Sequence, residues 1–220
     1  MLISENFLLV FLEKLKHKDS IAPMSPDNIC LAGAWIMDLI LRGKLSIEGK
    51  SLLVINTSST GDEYLDEIFA IIKDSKRKHK LNRWVDLLSS KYNKQIHSSA
   101  LKRLQSQGIL TFKENIVAKI FYKWDYILAR PEIKQSLLEQ IQKVFIENID
   151  PNIELLCLLS LLRLNKSIKV CIAKEYRKYA KYRYEELIHS DKYEPNHIEM
   201  ILKIKKAFKS TYSGRNMVFI

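Results

Sequence analysis

Cysteine, proline and glycine are scarce in this chain of 220 residues, with three, five and six residues respectively. The cysteines are Cys30, Cys157 and Cys171; each stands among apolar neighbours, and none has metal-ligand spacing. We therefore expect reduced, buried thiols, and neither disulfides nor a zinc site. No low-complexity linker interrupts the sequence, so we predict one domain over residues 1–220, with a poorly ordered tail at 213–220.

Long apolar runs are also missing. Residues 31–41 form an apolar run of eleven residues broken only by Asp38, and a bilayer-spanning helix needs about 20 such residues. A shorter run at 7–12 follows Glu5, without a positive segment before it or a small-residue cleavage site after it. We expect this run to be a first amphipathic helix rather than a signal peptide, in a cytoplasmic protein.

Catalytic signatures are absent as well. The five histidines show no HxxxH or HxxE spacing, and there is no glycine-rich phosphate loop and no nucleophile elbow. Four carboxylates, at Asp62, Glu63, Asp66 and Glu67, cluster where a helix is predicted to start, and we interpret them as cap and helix-dipole residues. We expect no enzyme activity, no cofactor and no metal; a hydrolase that uses these carboxylates is the enzymatic alternative.

Positive charge is abundant. There are 36 lysine and arginine residues against 25 aspartate and glutamate residues, a net charge of +11. Such an excess favours a polyanionic partner, either an anionic membrane surface or nucleic acid. The simpler alternative is a cationic but otherwise unremarkable soluble surface. We apply this simpler interpretation to residues 73–80, where six of eight residues are basic, and predict a solvated turn there.

Apolar periodicity predicts a mainly α fold: a single globular domain with buried central helices ringed by amphipathic helices, plus two short β-hairpins. The buried helices are predicted at 31–41 and 153–164. Twice the chain runs from a helix through a glycine, Gly43 or Gly108, into a short hairpin. Local spacing predicts an Asp38–Arg42 pair at the rim of the core and a capping box between Thr60 and Glu63. Further helices are predicted at 5–16, 63–73, 81–89, 96–107, 132–148, 168–188 and 198–212.

Two groups of basic and aromatic residues are the candidate functional sites. The first surrounds the start of the helix that ends at Gly108, where a helix N-terminus with nearby cations makes a natural phosphate pocket. The second lies on the following hairpin, where aromatic and basic residues suit a membrane interface. The predicted headgroup-binding residues are Lys91, Lys94, His97, Lys102 and Arg103, and the predicted membrane-contacting residues are Lys119, Phe121, Tyr122, Lys123, Trp124 and Tyr126.

A third group of basic and aromatic residues lies on the predicted helix at 168–188. We rank it below the other two because such a face is more often the solvated flank of a helical bundle. Its members are Arg177, Lys178, Lys181 and Arg183, with Tyr176, Tyr179, Tyr182 and Tyr184.

Two motifs near the first hairpin resemble a known family. The sequence LRGKL at 41–45, followed by a hairpin and then STGDEYLDEIF at 59–69, resembles the Golgi phosphoprotein 3 family, or GPP34 domain. The likeness continues through residues 82–85 and 101–110, and again through 175–187, so it covers most of the chain. It implies a peripheral membrane protein that binds phosphatidylinositol 4-phosphate, inserts a hairpin tip into the bilayer and holds the cytoplasmic tails of membrane enzymes at the Golgi.

The resemblance also implies positions for the lipid ligands. The family's arginine before the central-helix glycine falls on Ala32, and its tryptophan falls near Pro23 or Met24. Two further arginines fall on Lys94 and His97, so part of the pocket's charge is retained, and Lys91 is placed to compensate. In a bacterial source the lipid would have to be another anion. The oligomeric state stays open.

A winged-helix nucleic-acid-binding protein is the alternative function. Helix, glycine and hairpin are also the order of elements in that fold, and residues 119–126 would then be a wing over phosphates. Against it, the helix at 31–41 is predicted to be buried and lacks an exposed basic face. We therefore predict a peripheral membrane protein that binds anionic headgroups, with nucleic acid as the second choice.

Overall fold

The computed structural model describes residues 1–15, 25–117 and 121–216. Within these ranges the chain is mainly helical, with two separate two-stranded antiparallel hairpins, which confirms the predicted fold class. The helices are α1 (Ile3–Leu15), α2 (Pro26–Leu41), α3 (Glu63–Lys73), α4 (Leu81–Ser89), α5 (Asn93–Ser106), α6 (Pro131–Ile146), α7 (Ile153–Leu164), α8 (Ile168–Cys171), α9 (Arg177–Ile188) and α10 (Pro195–Asn216). The strands are β1 (Leu45–Glu48), β2 (Ser51–Val54), β3 (Leu110–Val117) and β4 (Phe121–Leu128).

The core is built around α2. Ser25 caps this helix by accepting a hydrogen bond from the Asn28 backbone N–H at 3.2 Å, and Pro26 occupies its first turn, where proline costs no hydrogen bond. From Asn28 to Leu39 every residue is buried, and α2 packs against α1, α4, α7 and α10. The second buried helix, α7, has the predicted bounds. Both predicted central helices are present, but α2 begins at Pro26, five residues before its predicted start.

Two residues of α2 fix its position against its neighbours. Trp35 is fully buried, and its indole N–H donates to the Ile96 carbonyl of α5 at 3.0 Å. At Gly33 a Cβ atom would lie 3.1 Å from Ile204 in α10 and 3.4 Å from Leu161 in α7. The missing side chain therefore lets three helices approach closely.

The predicted Asp38–Arg42 pair is wrong. Asp38 is buried and accepts hydrogen bonds from the Ile3 N–H at 2.7 Å, the Ser4 N–H at 3.0 Å and the Ser4 hydroxyl at 2.7 Å. It thus caps the start of α1, where free N–H groups favour a carboxylate. The Arg42 guanidinium donates instead to the Thr60 carbonyl at 3.4 Å. Burial raises the pKa of Asp38 to about 6, against the effect of these hydrogen bonds.

Both glycine-to-hairpin transitions are confirmed. Gly43 and Gly108 each have a φ of +65°, the left-handed conformation that ends a helix at low cost for glycine. β1 then pairs with β2 around Gly49, and β3 pairs with β4. All three cysteines are free and buried, as predicted, and burial raises the pKa values of Cys30 and Cys157.

Two helices near the C-terminus differ from their predictions. The helix predicted at 168–188 is split into α8, a 3-10 turn at Lys174–Tyr176 and α9. The break follows from Ile172, which adopts an extended backbone while its side chain stays buried. The last helix continues past the predicted end at Tyr212 to Asn216, so residues 213–216 are helical rather than part of a tail. Residues 217–220 lie outside the described ranges. Of the helices described, none has both the length and the apolar character to cross a membrane.

Candidate anion-binding surface

A groove with basic walls lies between the end of α3, the turn at 74–80, α4 and the residues that precede α5. Its volume is about 530 Å³, within the range of ~300–1,000 Å³ typical of ligand pockets. Its floor includes the apolar residues Ala70, Ile71 and Leu87. We call it the basic groove after the cationic side chains that line it: Lys76, Arg77, Arg83 and Lys91.

Both ends of the turn at 74–80 are anchored. At its start, the turn follows directly from Asp74, the C-cap of α3, and the apolar face of α3 is buried. The Ser75 hydroxyl also donates a hydrogen bond to the Arg77 carbonyl at 3.0 Å. At its end, the Leu81 N–H donates to the Lys50 carbonyl of the first hairpin at 2.8 Å. The buried Trp84 packs against His79 in a T-shaped arrangement, with ring centroids 5.2 Å apart. The segment predicted as a solvated turn is therefore held against the domain and forms one wall of the groove.

Positive charge dominates this groove. Among the described residues that line it, Asp74 is the one carboxylate, and Arg83 pairs with Asp86 at 2.5 Å. Lys76 and Arg77 are exposed, and within the described ranges their side chains have neither a hydrogen-bond nor an ion-pair partner. Like charges that share a groove repel one another, so a bound anion would lower the electrostatic energy of the site.

The start of α5 continues this surface. Lys91 lies over the Tyr92 ring at 5.0 Å. Tyr92 is the N-cap residue and makes no side-chain capping bond, so the first backbone N–H groups of the helix can still donate hydrogen bonds to an anion. Lys94 is exposed in the first turn, and His97 follows one turn later. The His97 Nε2 atom is buried without a hydrogen-bond partner, and burial lowers the pKa of this ring to about 4. His97 is therefore neutral at pH 7 and supplies no positive charge.

Arg103 occupies a different environment from the other predicted headgroup residues. Its guanidinium pairs with Glu5 of α1, which is fully buried, and its Nε donates to Asp62 at 2.6 Å. Asp62 also caps α3, accepting from the Leu65 N–H at 3.0 Å. Arg103 thus joins three helices and has its charge neutralised internally, whereas Lys102, its neighbour, is exposed.

The predicted membrane-contacting residues can be placed by backbone only. Lys119 lies outside the described ranges, and the others fall in β4, which pairs with β3 in antiparallel register. Tyr122, Trp124 and Tyr126 occupy alternate positions of the strand. The other two predicted residues in this strand are Phe121 and Lys123. Contact of these residues with a membrane stays a prediction.

The third, lower-ranked group is partly structural. Arg183 is buried and pairs with Asp150 at 2.5 Å and with Glu186 at 3.0 Å. The buried Tyr184 hydroxyl lies 2.7 Å from the Ser160 hydroxyl. These contacts fasten α9 to the bundle and leave the remaining cations of the group for the surface.

The carboxylates after the first hairpin have structural partners. Asp62 is the cap of α3, so the predicted capping box from Thr60 is wrong: the Thr60 hydroxyl instead accepts from the Asp62 N–H at 3.2 Å. Asp66 accepts from the Thr60 N–H at 2.8 Å, and Glu67 accepts from the Ser99 hydroxyl at 2.7 Å. In the part of the chain that the structure describes, no group of three or more His, Cys, Asp or Glu side chains is arranged to hold a metal ion.

Sequence reasoning missed three residues of the basic groove. Lys76 and Arg77 belong to the basic run that we interpreted as solvent-exposed, and Arg83 was not singled out. The signal available was the density of positive charge at 73–80. What the sequence does not show is that α4 and the residues before α5 fold back beside that turn and close a groove.

A family model described as Golgi phosphoprotein 3 (GPP34) matches residues 3–200. The match extends from the start of α1 into α10 and so includes every element that forms the basic groove. The chain therefore belongs to the Golgi phosphoprotein 3 family, as the motifs around the first hairpin indicated.

Proposed function

We propose that this member of the Golgi phosphoprotein 3 family is a peripheral membrane protein that binds anionic phospholipid headgroups through the basic groove and the first turn of α5. The observation that carries the proposal is the convergence of four cations on one groove with a single lining carboxylate. Arginine and lysine are the side chains that bind phosphate oxygens most strongly. The protein would act without catalysis, at the cytosolic face of a membrane.

The family resemblance makes phosphatidylinositol 4-phosphate the proposed headgroup. Ala32, where the family has an arginine, is fully buried in α2 and carries no charge. Lys94 retains a cation at one of the family's ligand positions. The cations of the neighbouring groove, Lys76 and Arg77, would supply the remaining charge for a phosphate-bearing headgroup.

The test is flotation with three kinds of vesicle: neutral phosphatidylcholine alone, with phosphatidylserine, and with phosphatidylinositol 4-phosphate. Reversing two groove charges with Lys76→Glu and Arg77→Glu should weaken anionic-vesicle binding about tenfold or more. The matched control, Lys206→Glu with Lys209→Glu on the exposed side of α10, makes the same change in net charge. Equal losses in both variants, or equal binding to neutral vesicles, would contradict the groove as the site.

The hairpin contributes a second contact in this proposal. With Trp35→Phe and Trp84→Phe, Trp124 becomes the sole tryptophan reporter, since the chain has three. If the hairpin enters the headgroup region, the Trp124 fluorescence should shift to the blue in the presence of anionic vesicles and should resist an aqueous quencher. Protection by duplex DNA and not by vesicles would instead favour the winged-helix alternative. Against that alternative, α2 is buried and has no face to offer a nucleic-acid groove.

We further propose that the protein holds cytoplasmic tails of membrane enzymes, and a second groove supports this role. It is about 510 Å³ in volume and lies between α1, α6 and α7, with Ile133, Leu137 and Leu155 as apolar lining and Glu132 and Glu154 as carboxylates. Cytoplasmic segments next to a membrane span are enriched in lysine and arginine, so carboxylates beside an apolar floor are complementary to them.

A fluorescent peptide of alternating leucine and arginine tests the tail-binding role. Its binding should weaken about tenfold with Glu154→Lys, because the variant places a like charge beside the peptide. Glu139→Lys, an exposed position of α6 outside the groove, is the control. A Glu154→Lys protein that binds the peptide as the control does would remove this groove from the proposal.

A further inference from the structure

A second basic groove lies at the other end of the sequence, between the C-terminus of α7, α8 and α9. Its volume is about 250 Å³. Ile168, Ile172 and Ala180 form its apolar floor, and no carboxylate is among its described lining residues. We call it the α8–α9 groove. The cations that surround the floor are Arg163, Lys166, Lys169, Arg177 and Lys181.

The two arginines of this groove are held by the protein itself. The Arg163 guanidinium lies 4.0 Å from the Tyr184 ring centroid, donates to the Lys181 carbonyl at 3.2 Å and pairs with Glu185 at 3.1 Å. The Arg177 guanidinium donates to the Lys169 carbonyl at 2.8 Å. These bonds tie the walls together across α7, α8 and α9, so the groove is a fixed feature of the fold.

The three lysines are in a different state. Lys166, Lys169 and Lys181 are exposed, and none has a side-chain partner in the described part of the chain. Their ammonium groups stand around buried Ile172 and Ala180. The groove therefore combines unpaired positive charge at its rim with an apolar surface at its base.

We propose that the α8–α9 groove binds an acidic peptide segment of a partner protein, with one large aliphatic side chain on the floor and flanking carboxylates on the three lysines. Charge complementarity requires an acidic occupant, and the floor requires an apolar group. The volume, below the ~300 Å³ at which small-molecule pockets begin, suits one or two aliphatic side chains.

An anionic bilayer fits this groove less well than a peptide does. The floor is concave, so only a projecting group can reach it. Glu185, which pairs with the Arg163 guanidinium of the groove wall at 3.1 Å, also places a carboxylate beside the groove, which a flat anionic membrane would repel. No element of the α8–α9 groove contributes to the basic groove, so this site is independent of the proposed lipid site.

Fluorescence anisotropy with the full chain tests the proposal. The probe is a fluorescein-labelled peptide of four glutamates flanking a central leucine. Lys169→Glu with Lys181→Glu should weaken binding about tenfold or more, whereas the same charge change at Lys206 and Lys209, exposed residues of α10 that line neither groove, should leave it within about twofold. A probe with serine in place of leucine should bind several-fold more weakly to the unmodified protein because the floor then stays uncovered.

Three results would overturn the proposal. The first is equal peptide binding by the two charge-reversed proteins, which would reduce the effect to net charge. The second is equal affinity for the leucine and serine probes, which would remove the floor from the site. The third is loss of anionic-vesicle binding by the Lys169 and Lys181 variant with peptide binding unchanged, which would assign the groove to a membrane. Circular dichroism of each variant checks that these exposed substitutions leave the fold intact.

Discussion

Charged residues in the interior and those at the basic groove do opposite things in this protein. In the interior, Glu5, Asp38 and Arg103 form hydrogen bonds or ion pairs with groups from other helices. Asp38 caps α1, and Arg103 joins α5 to α1 and α3. At the groove, Lys76 and Arg77 have no such partners in the described ranges. The same chemical groups therefore stabilise the fold where they are buried and paired, and remain available for a ligand where they are exposed and unpaired.

The strongest test of this contrast is Arg103→Met. Removing the guanidinium leaves Glu5, fully buried, and Asp62 without their counter-charge, which should lower the free energy of unfolding by about 3–5 kcal/mol. Urea denaturation measures the change. Lys102→Met, an exposed position on the same helix, should change it by no more than about 0.5 kcal/mol. A stable Arg103→Met protein that has lost vesicle binding would instead support the headgroup role predicted from the sequence.

The next largest effect concerns pH. Because burial raises the pKa of Asp38 from 3.8 to about 6, the folded protein holds this proton more tightly than the unfolded chain does. The stability that this proton contributes is fully present below about pH 4 and is lost as pH rises through 6, by about 3 kcal/mol in all. Asp38→Asn should lack that slope, so the difference in stability between the two proteins should change with pH by this amount. Asp191→Asn, exposed, should stay parallel to the unmodified protein.

Local features of the fold were predictable from the sequence, and contacts between distant segments were not. The left-handed glycine at position 43 and the apolar helix α7 each follow from a few neighbouring residues, and both predictions are confirmed. Asp38 was assigned to Arg42 because the two are spaced four positions apart, yet its partners, Ile3 and Ser4, lie more than 30 positions away. Spacing along one helix does not show which other helix end will be packed beside it.

The same limit applies to the candidate site. The excess of basic residues at 73–80 is plain in the sequence, but the groove exists because α4 folds back beside the turn. Conversely, Arg103 and His97 have the residue types of a phosphate site, and only their packing shows that Arg103 is neutralised by ion pairs and that His97 is uncharged. Sequence identifies which side chains are able to bind an anion; packing decides which remain free to do so.

A third test compares the two regions by stability rather than by binding. Lys76→Glu with Arg77→Glu should change the free energy of unfolding by no more than about 0.5 kcal/mol, because neither side chain has a partner to lose. Urea denaturation of this variant beside Arg103→Met places the two effects on one scale. A large destabilisation of the groove variant would mean that these cations support the fold, and the contrast between the two regions would then fail.

A last test, His97→Leu, separates position from charge within α5. At pH 7 the ring is neutral and its Nε2 atom already lacks a partner, so leucine removes no hydrogen bond from that atom, and the free energy of unfolding should change by no more than about 1 kcal/mol. Below pH 6.5 the unmodified protein should lose stability as the unfolded chain takes up a proton that the folded ring resists, and the leucine variant should lack that loss.

Vesicle binding at pH 7 should be unaffected by His97→Leu, whereas Lys94→Glu, one turn earlier, should weaken it. If His97→Leu weakens vesicle binding as much as Lys94→Glu does, then the imidazole contacts the headgroup as a neutral hydrogen-bonding group, and the lipid site extends from the basic groove along α5 to the position that the family resemblance implied.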